Sequence, residues 1–164
     1  MNRKIRLAML AGLCVVVFAG ILASAAARAN QSAVGTWKLD VKKSSYTNIP
    51  ALAFEQLVVT TDQPDALKWS MVGSEGHGKT YSSSYDGPID SKDHPMTSSE
   101  ASSTIAYTRT ASGGVRWVVK DKTGATVETA TGQLSPDGRT LTIKGTTTTA
   151  QGQAHFISIF DKVK

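Results

Sequence analysis

Short segments in which apolar and polar residues alternate recur along this chain. Leu67, Trp69 and Met71 are separated by Lys68 and Ser70, for example. A period of two is typical of β-strands with one buried and one exposed face. The pattern predicts nine strands, at residues 34–40, 54–61, 66–73, 79–86, 103–110, 115–120, 125–134, 139–149 and 154–162.

The alternation also predicts which side chains point inward. The predicted inward set comprises Trp37, Leu39, Leu57, Val59, Leu67, Trp69, Met71, Tyr81, Ile105, Tyr107, Val115, Trp117, Val119, Val127, Leu141 and Ile143. The last strand differs because Phe156 and Phe160 share one face while Ile157 and Ile159 share the other. We therefore expect another segment, such as the region from Tyr46 to Phe54, to cover it.

The connections are short and have turn chemistry. Ser135-Pro136-Asp137-Gly138 places Pro second and Gly last, which predicts a type I turn followed by a left-handed glycine. Gly73 to Lys79 is also interpreted as a hairpin turn. Two regions are predicted not to be strand: 40–53, and 87–102, a long polar loop. Antiparallel hairpins at even spacing predict an all-β sandwich or an up-and-down barrel.

The first 29 residues have the pattern of a secretory signal peptide. Arg3, Lys4 and Arg6 precede an uncharged run from Leu7 to Ala27, and Ala27-Arg28-Ala29 forms a small-residue cleavage pattern. We expect one domain, 30–164, after cleavage, in the periplasm or secreted. The alternative is an uncleaved anchor, since 21 uncharged residues are long enough to span a bilayer. In either case the membrane is contacted only through this segment.

Cleavage would change the charge of the protein. The whole chain has 18 Lys and Arg against 13 Asp and Glu, and four of the basic residues lie in the predicted signal peptide. The remaining 14 are scattered, so a nucleic-acid partner, which needs a basic stripe, is not expected. The one cysteine, Cys14, also lies in that segment, so the expected domain must be held together by its core without disulfides.

The residues offer no recognisable catalytic or metal-binding motif. No histidine pair has metal-ligand spacing, and no Gly-x-Ser-x-Gly element occurs. Asp86, Asp90, Asp93 and His94 are near one another but match no calcium loop, so we interpret them as a solvated loop. We expect a non-enzymatic protein without a cofactor. An enzyme would require a polar cluster around Tyr81, Tyr85 and His77, and a haem-binding histidine is a remote alternative.

Val34-Gly35-Thr36-Trp37-Lys38-Leu39 resembles the first strand of lipocalins and fatty-acid-binding proteins, the calycin group. Ser135 to Thr142 and the ending Phe160-Asp161-Lys162 are similar to the final hairpins of that group. The nearest resemblance is to secreted bacterial proteins with a lipocalin-like domain. It implies an antiparallel up-and-down barrel of about nine strands, in which Trp37 closes one end.

Two departures from the fatty-acid-binding proteins bear on the ligand. About 14 residues separate the first two predicted strands, too few for the two-helix lid that the resemblance would imply. Where those proteins hold a carboxylate with Arg-x-Tyr, this chain has Ser158-Ile159-Phe160. A fatty-acid anion held in that way is therefore not expected.

The resulting functional prediction is an exported, non-enzymatic protein that binds a small lipophilic ligand in the lumen of a barrel. Large inward side chains are the candidate ligand-binding residues: Trp69, Met71, Tyr107, Trp117 and Phe160. The alternative is a structural or interaction protein of the cell envelope, with a filled barrel and no small-molecule ligand. The identity of the ligand, the oligomeric state and the role of residues 87–102 stay open.

Overall fold

The structure is a computed structural model that describes residues 31–101 and 103–163. The described residues form strands joined by turns, and no helix among them is long and apolar enough to cross a membrane. The eleven strands are β1 Gly35–Leu39, β2 Ser45–Thr47, β3 Leu52–Asp62, β4 Ala66–Glu75, β5 Thr80–Pro88, β6 His94–Ser98, β7 Ser103–Arg109, β8 Val115–Asp121, β9 Thr126–Leu134, β10 Thr140–Thr149 and β11 Gly152–Lys162. The predicted signal peptide lies outside the described residues.

The sheet closes on itself. Ten strands follow one another in the order β1, β3 to β11, each antiparallel to its neighbour, and β11 pairs back onto β1. Leu39 faces Phe160 across this closing pair, and Trp37 faces Leu57 on the other side of β1. The expected all-β, antiparallel up-and-down barrel is therefore confirmed, with ten strands in its wall instead of nine.

Two regions that were predicted to be non-strand contain the remaining short strands. β2, in the region 40–53, pairs with β11 where Tyr46 faces Phe156. β6, in the region 87–102, joins β5 through only two residue pairs and β7 through three. Neither β2 nor β6 carries an alternating apolar run, so pairing with neighbouring strands, rather than local pattern, determines them.

The turns follow the glycine chemistry of the sequence. Gly138 has a φ of 67° and donates its backbone N–H to the Ser135 carbonyl oxygen, as the predicted type I turn requires. The turn after β4 is shorter than predicted, since β4 continues to Glu75 and Gly73 lies inside the strand. A side chain on Gly73 would collide with the ring of Tyr81, which lies across it on β5.

The buried apolar side chains of the inward faces form one continuous core. Trp37, Ile105 and Phe160 are its largest fully buried side chains. Of the sixteen residues predicted to point inward, all but Tyr81 belong to this core or pack against it. β2 covers part of the edge of β11, while Ile157 remains 43% exposed, so the second apolar face of the last strand is covered only in part.

Candidate functional site

The interior of the barrel has two halves of different chemistry. The first, which we call the aromatic half, contains the fully or nearly fully buried Trp37, Tyr85, Tyr107 and Phe160. The rings of Tyr85 and Tyr107 are 5.1 Å apart, and Trp117 lies 5.8 Å beyond Tyr107. These tilted contacts are the favourable arrangement for aromatic pairs, so this half is a packed core.

Trp37 belongs to the aromatic half and is completely buried. Its Nε1 donates a 2.8 Å hydrogen bond to the carbonyl oxygen of Ala33, and the ammonium of Lys162 lies 5.1 Å from its ring centre. Nearby, Arg109 donates a 2.5 Å charged hydrogen bond to the largely buried carboxylate of Asp62. The structure thus buries Trp37 completely, and its role in closing one end of the barrel stays a prediction.

The second, polar half of the barrel is formed by Glu55, Tyr81, Glu128, Tyr46 and Ser158. Alternation aims Glu55 inward, because it shares a face of β3 with Leu57 and Val59. Tyr81 reaches Glu55 from β5 and donates its hydroxyl hydrogen to Oε2.

The remaining members enter the polar half from other strands. Glu128 of β9 accepts a 2.7 Å hydrogen bond from Nε1 of Trp117. The Tyr46 hydroxyl of β2 lies 3.2 Å from the Ser158 hydroxyl of β11. Polar side chains from five strands therefore face one another in one region of the interior.

Burial changes the protonation of the two carboxyl groups. Glu55 is only 7% exposed, and desolvation raises its pKa to about 7, with the nearby Glu128 adding to the increase. Desolvation also raises the pKa of Glu128, against the hydrogen bond from Trp117. Burial together with the charge of Glu55 raises the pKa of Tyr81, so its hydroxyl stays protonated and remains a donor.

Each carboxyl group has one oxygen that makes no hydrogen bond with the described residues. Tyr81 occupies Oε2 of Glu55 and Trp117 occupies Oε1 of Glu128. Among the described residues, no fully buried side-chain nitrogen or oxygen lacks a partner. The second oxygen of each group is therefore not completely buried, although Glu55 as a whole is only 7% exposed.

The structure brings the five predicted ligand-binding residues together, but on the aromatic side of the interior. Tyr107 and Phe160 are buried core residues, while Trp69, Met71 and Trp117 pack against that core and keep partial exposure. Trp69 donates a 2.9 Å hydrogen bond from Nε1 to the Tyr107 hydroxyl. That these five residues contact a ligand stays a prediction.

Sequence reasoning missed the two carboxyl groups, the Tyr46 phenol and the Ser158 hydroxyl of the polar half. The signal was present for Glu55, which has the same phase as Leu57 and Val59 in its predicted strand. It was absent for Glu128, because Val127 was predicted to point inward and the irregular pairing of β8 with β9 was not predicted. Charged residues at such positions are rarely buried without a partner, so the pattern alone favoured exposure. Tyr81 was predicted to point inward, but its partner was not.

The acidic loop residues do not converge on a cation site. Asp86 pairs with Lys68, Asp93 pairs with Lys120, and Asp90 is 2.9 Å from His94. Within the described ranges, no group of three or more potential metal ligands occurs. Tyr81, Tyr85 and His77 do not form the cluster that an enzyme would require: Tyr85 donates to the Pro88 carbonyl oxygen and His77 is exposed in a turn.

Two depressions of about 330 and 370 Å³ lie on the outside of the wall formed by β3 to β6. The first is lined mainly by outward polar side chains such as Lys68, Ser70, Ser84 and Asp86. The second includes Phe54 and Val72, which are 43% and 48% exposed. Of the residues of the polar half, only Tyr81 also lines one of these depressions, the second.

The fold is an up-and-down barrel whose interior has an aromatic half and a polar half. No protein-family model matches the sequence, and no curated protein matches it. Among solved structures, the chain is similar to zebrafish ileal bile acid-binding protein in complex with cholic acid. The two share 16% sequence identity with a TM-score of 0.49, over 80% of this chain and 100% of that protein.

Proposed function

We propose that this protein is a non-enzymatic carrier or receptor for a small lipophilic molecule, which binds in the polar half of the barrel. The observation that carries the proposal is the convergence of Glu55, Tyr81 and Glu128 inside an otherwise apolar barrel, with one oxygen of each carboxyl group not completely buried. An apolar enclosure with a few convergent polar groups is the common form of a ligand site. Trp117, which donates to Glu128, would contact the apolar part of the ligand, together with Trp69 and Met71 from the aromatic side.

Neighbouring serines on β5 offer a matched test of this location. Ser83 shares the inward face with Tyr81 and Tyr85, and it pairs with Met71. Ser84 lines the outer depression. We expect Ser83→Trp to weaken binding of the neutral fluorescent probe N-phenyl-1-naphthylamine, and Ser84→Trp to leave it unchanged. Extraction of the purified protein into organic solvent, followed by mass spectrometry, would identify the native ligand.

The second candidate function is a structural or interaction protein of the cell envelope. The aromatic half, which is filled by side chains, and the two outer depressions favour it. In that case the probe would bind to neither the wild type nor Ser84→Trp. Alternatively, the wild type and Ser83→Trp would bind the probe, and only Ser84→Trp would abolish binding. Either result would reject a ligand site inside the barrel.

The proposed location of the protein is the periplasm or the extracellular medium, after cleavage behind Ala29. The support is the sequence of residues 1–29 alone. Intact-mass measurement of the protein recovered from a periplasmic fraction should give a chain that begins at Asn30, and Ala27→Arg should block this processing. Recovery of the full chain from membranes would instead support the uncleaved anchor. The proposed kinship to secreted bacterial lipocalin-like proteins is supported by the sequence motif around Trp37.

A further inference from the structure

The polar half of the interior supplies acceptors, and no basic side chain of the described residues forms an ion pair with them. The titratable groups that face Glu55 are Tyr81 from β5, Tyr46 from β2 and Glu128 from β9. β4 presents Gly73 opposite Glu55, and the inward residues of β1 near it are Trp37 and Leu39. None of the ion pairs among the described residues involves Glu55 or Glu128.

The carboxyl groups of Glu55 and Glu128 also have unused hydrogen-bond acceptor sites. An ionised carboxylate offers about four acceptor sites, and a phenol or indole N–H fills only one. Tyr81 and Trp117 each donate once, which leaves one oxygen of Glu55 and one of Glu128 without a donor among the described residues. Neither oxygen is completely buried. The donor that would complete the network must therefore come from a bound molecule or from water.

From this arrangement, which rests on the proposed function, we propose that the ligand is a lipophilic amine whose protonated nitrogen binds between Glu55 and Glu128. An ammonium group supplies several hydrogen-bond donors and the missing positive charge. The ring of Trp117, which is fixed by its bond to Glu128, adds a face that attracts cations. A carboxylate ligand would meet two acidic groups and no cation, so the site selects against it.

The position of Glu55 in this site predicts that binding of the amine is linked to release of a proton. An ammonium ion binds the ionised form of Glu55, whereas burial keeps this group protonated below a pKa of about 7. Binding of the amine therefore releases a proton below that pH. We expect the affinity for the amine to increase from pH 5.5 to pH 8, with a smaller gain above pH 8.

The test compares three probes that share an alkyl chain and differ in their polar end: octylamine, octanol and octanoate. Tryptophan fluorescence is a direct reporter, because Trp117 donates to Glu128 in the site. We expect octylamine to bind most tightly at pH 8, octanol more weakly and octanoate not measurably. Glu55→Gln and Glu128→Gln should each weaken octylamine binding at least tenfold while leaving octanol binding within about twofold, since a charged hydrogen bond contributes more than a neutral one. Glu100→Gln, at an exposed residue that pairs with Lys79, is the matched control and should change neither.

Each other outcome decides against the inference in a distinct way. If octanoate binds as tightly as octylamine, or if Glu55→Gln retains octylamine binding, the amine assignment is wrong while a lipophilic site in the barrel stands. If none of the three probes binds but N-phenyl-1-naphthylamine does, the amine assignment is likewise wrong. If all four fail, the proposed function itself fails. Thermal melting at pH 5, where Glu55 is protonated and similar in shape to Gln, checks that the variants fold.

Discussion

Replacement of Glu55 by Gln tests the energetic cost of a carboxyl group inside the barrel. In the folded protein, burial raises the pKa of Glu55 from 4.5 to about 7. Between these two values the unfolded chain loses the proton while the folded chain keeps it. The folded state then binds more protons than the unfolded state, so the free energy of unfolding decreases as the pH rises through this window and is constant above it.

The magnitude follows from the size of the pKa change. Each unit corresponds to about 1.4 kcal/mol, so the wild type should lose about 3 kcal/mol of stability between pH 4 and pH 8 through Glu55. Gln has nearly the shape of the protonated carboxyl group and does not titrate. We therefore expect Glu55→Gln to match the wild type within about 1 kcal/mol at pH 4, and to be more stable by about 3 kcal/mol at pH 8.

Urea denaturation followed by tryptophan fluorescence, at intervals from pH 4 to pH 8, measures the difference between the two proteins. The difference removes the contributions of groups that do not interact with Glu55, and it contains the coupling between Glu55 and Glu128. Glu100→Gln serves as the control, because its exposed pairing with Lys79 should give a pH dependence parallel to that of the wild type. A difference between wild type and Glu55→Gln that stays constant from pH 4 to pH 8 would refute the reasoning.

Three further substitutions test the packing that positions the site. Phe160→Ala should cost about 3–5 kcal/mol in urea denaturation, because a fully buried aromatic side chain is removed, and a loss below 1 kcal/mol would contradict its place in the core. Gly145→Ala should cost about 1–3 kcal/mol by the same measurement, because the new methyl group would collide with the backbone oxygen of Thr129, which cannot rotate away. Arg109→Met should lower the thermal midpoint by several degrees, because the largely buried Asp62 loses its charged partner, and restoration by Asp62→Asn in the double variant would show that the pair itself is responsible.

The sequence predicted most of the strands that form the barrel, but few of the polar contacts inside it. Strands such as Leu67-Lys68-Trp69-Ser70-Met71 alternate so regularly that one face can only be buried. β6 could not be found in this way, because His94-Pro95-Met96-Thr97-Ser98 has one large apolar residue and a proline. It is a strand because β5 and β7 provide backbone partners on either side.

The polar half of the interior depended on contacts between distant strands. Glu55 and Tyr81 are 26 residues apart, and their bond exists because Gly73, between them in the sheet, leaves room for the phenol ring. Tyr46 and Ser158 meet only because β2 adds to β11. Single-strand patterns contain no information on such neighbours, so the sequence predicted an inward Tyr81 without its carboxyl partner.

The closing pair between β1 and β11 also constrains the order in which this protein can fold. Leu39 and Phe160 face each other across a loop of about 120 residues, and closing so long a loop has a high entropic cost that is recovered only when the pair forms. Until then, both strands are open edges that can pair with another chain. Trp37 would still lack the partners that bury it. The aggregation-prone species of this protein is therefore the nearly complete sheet, and residues 152–162 end that stage by removing both edges at once.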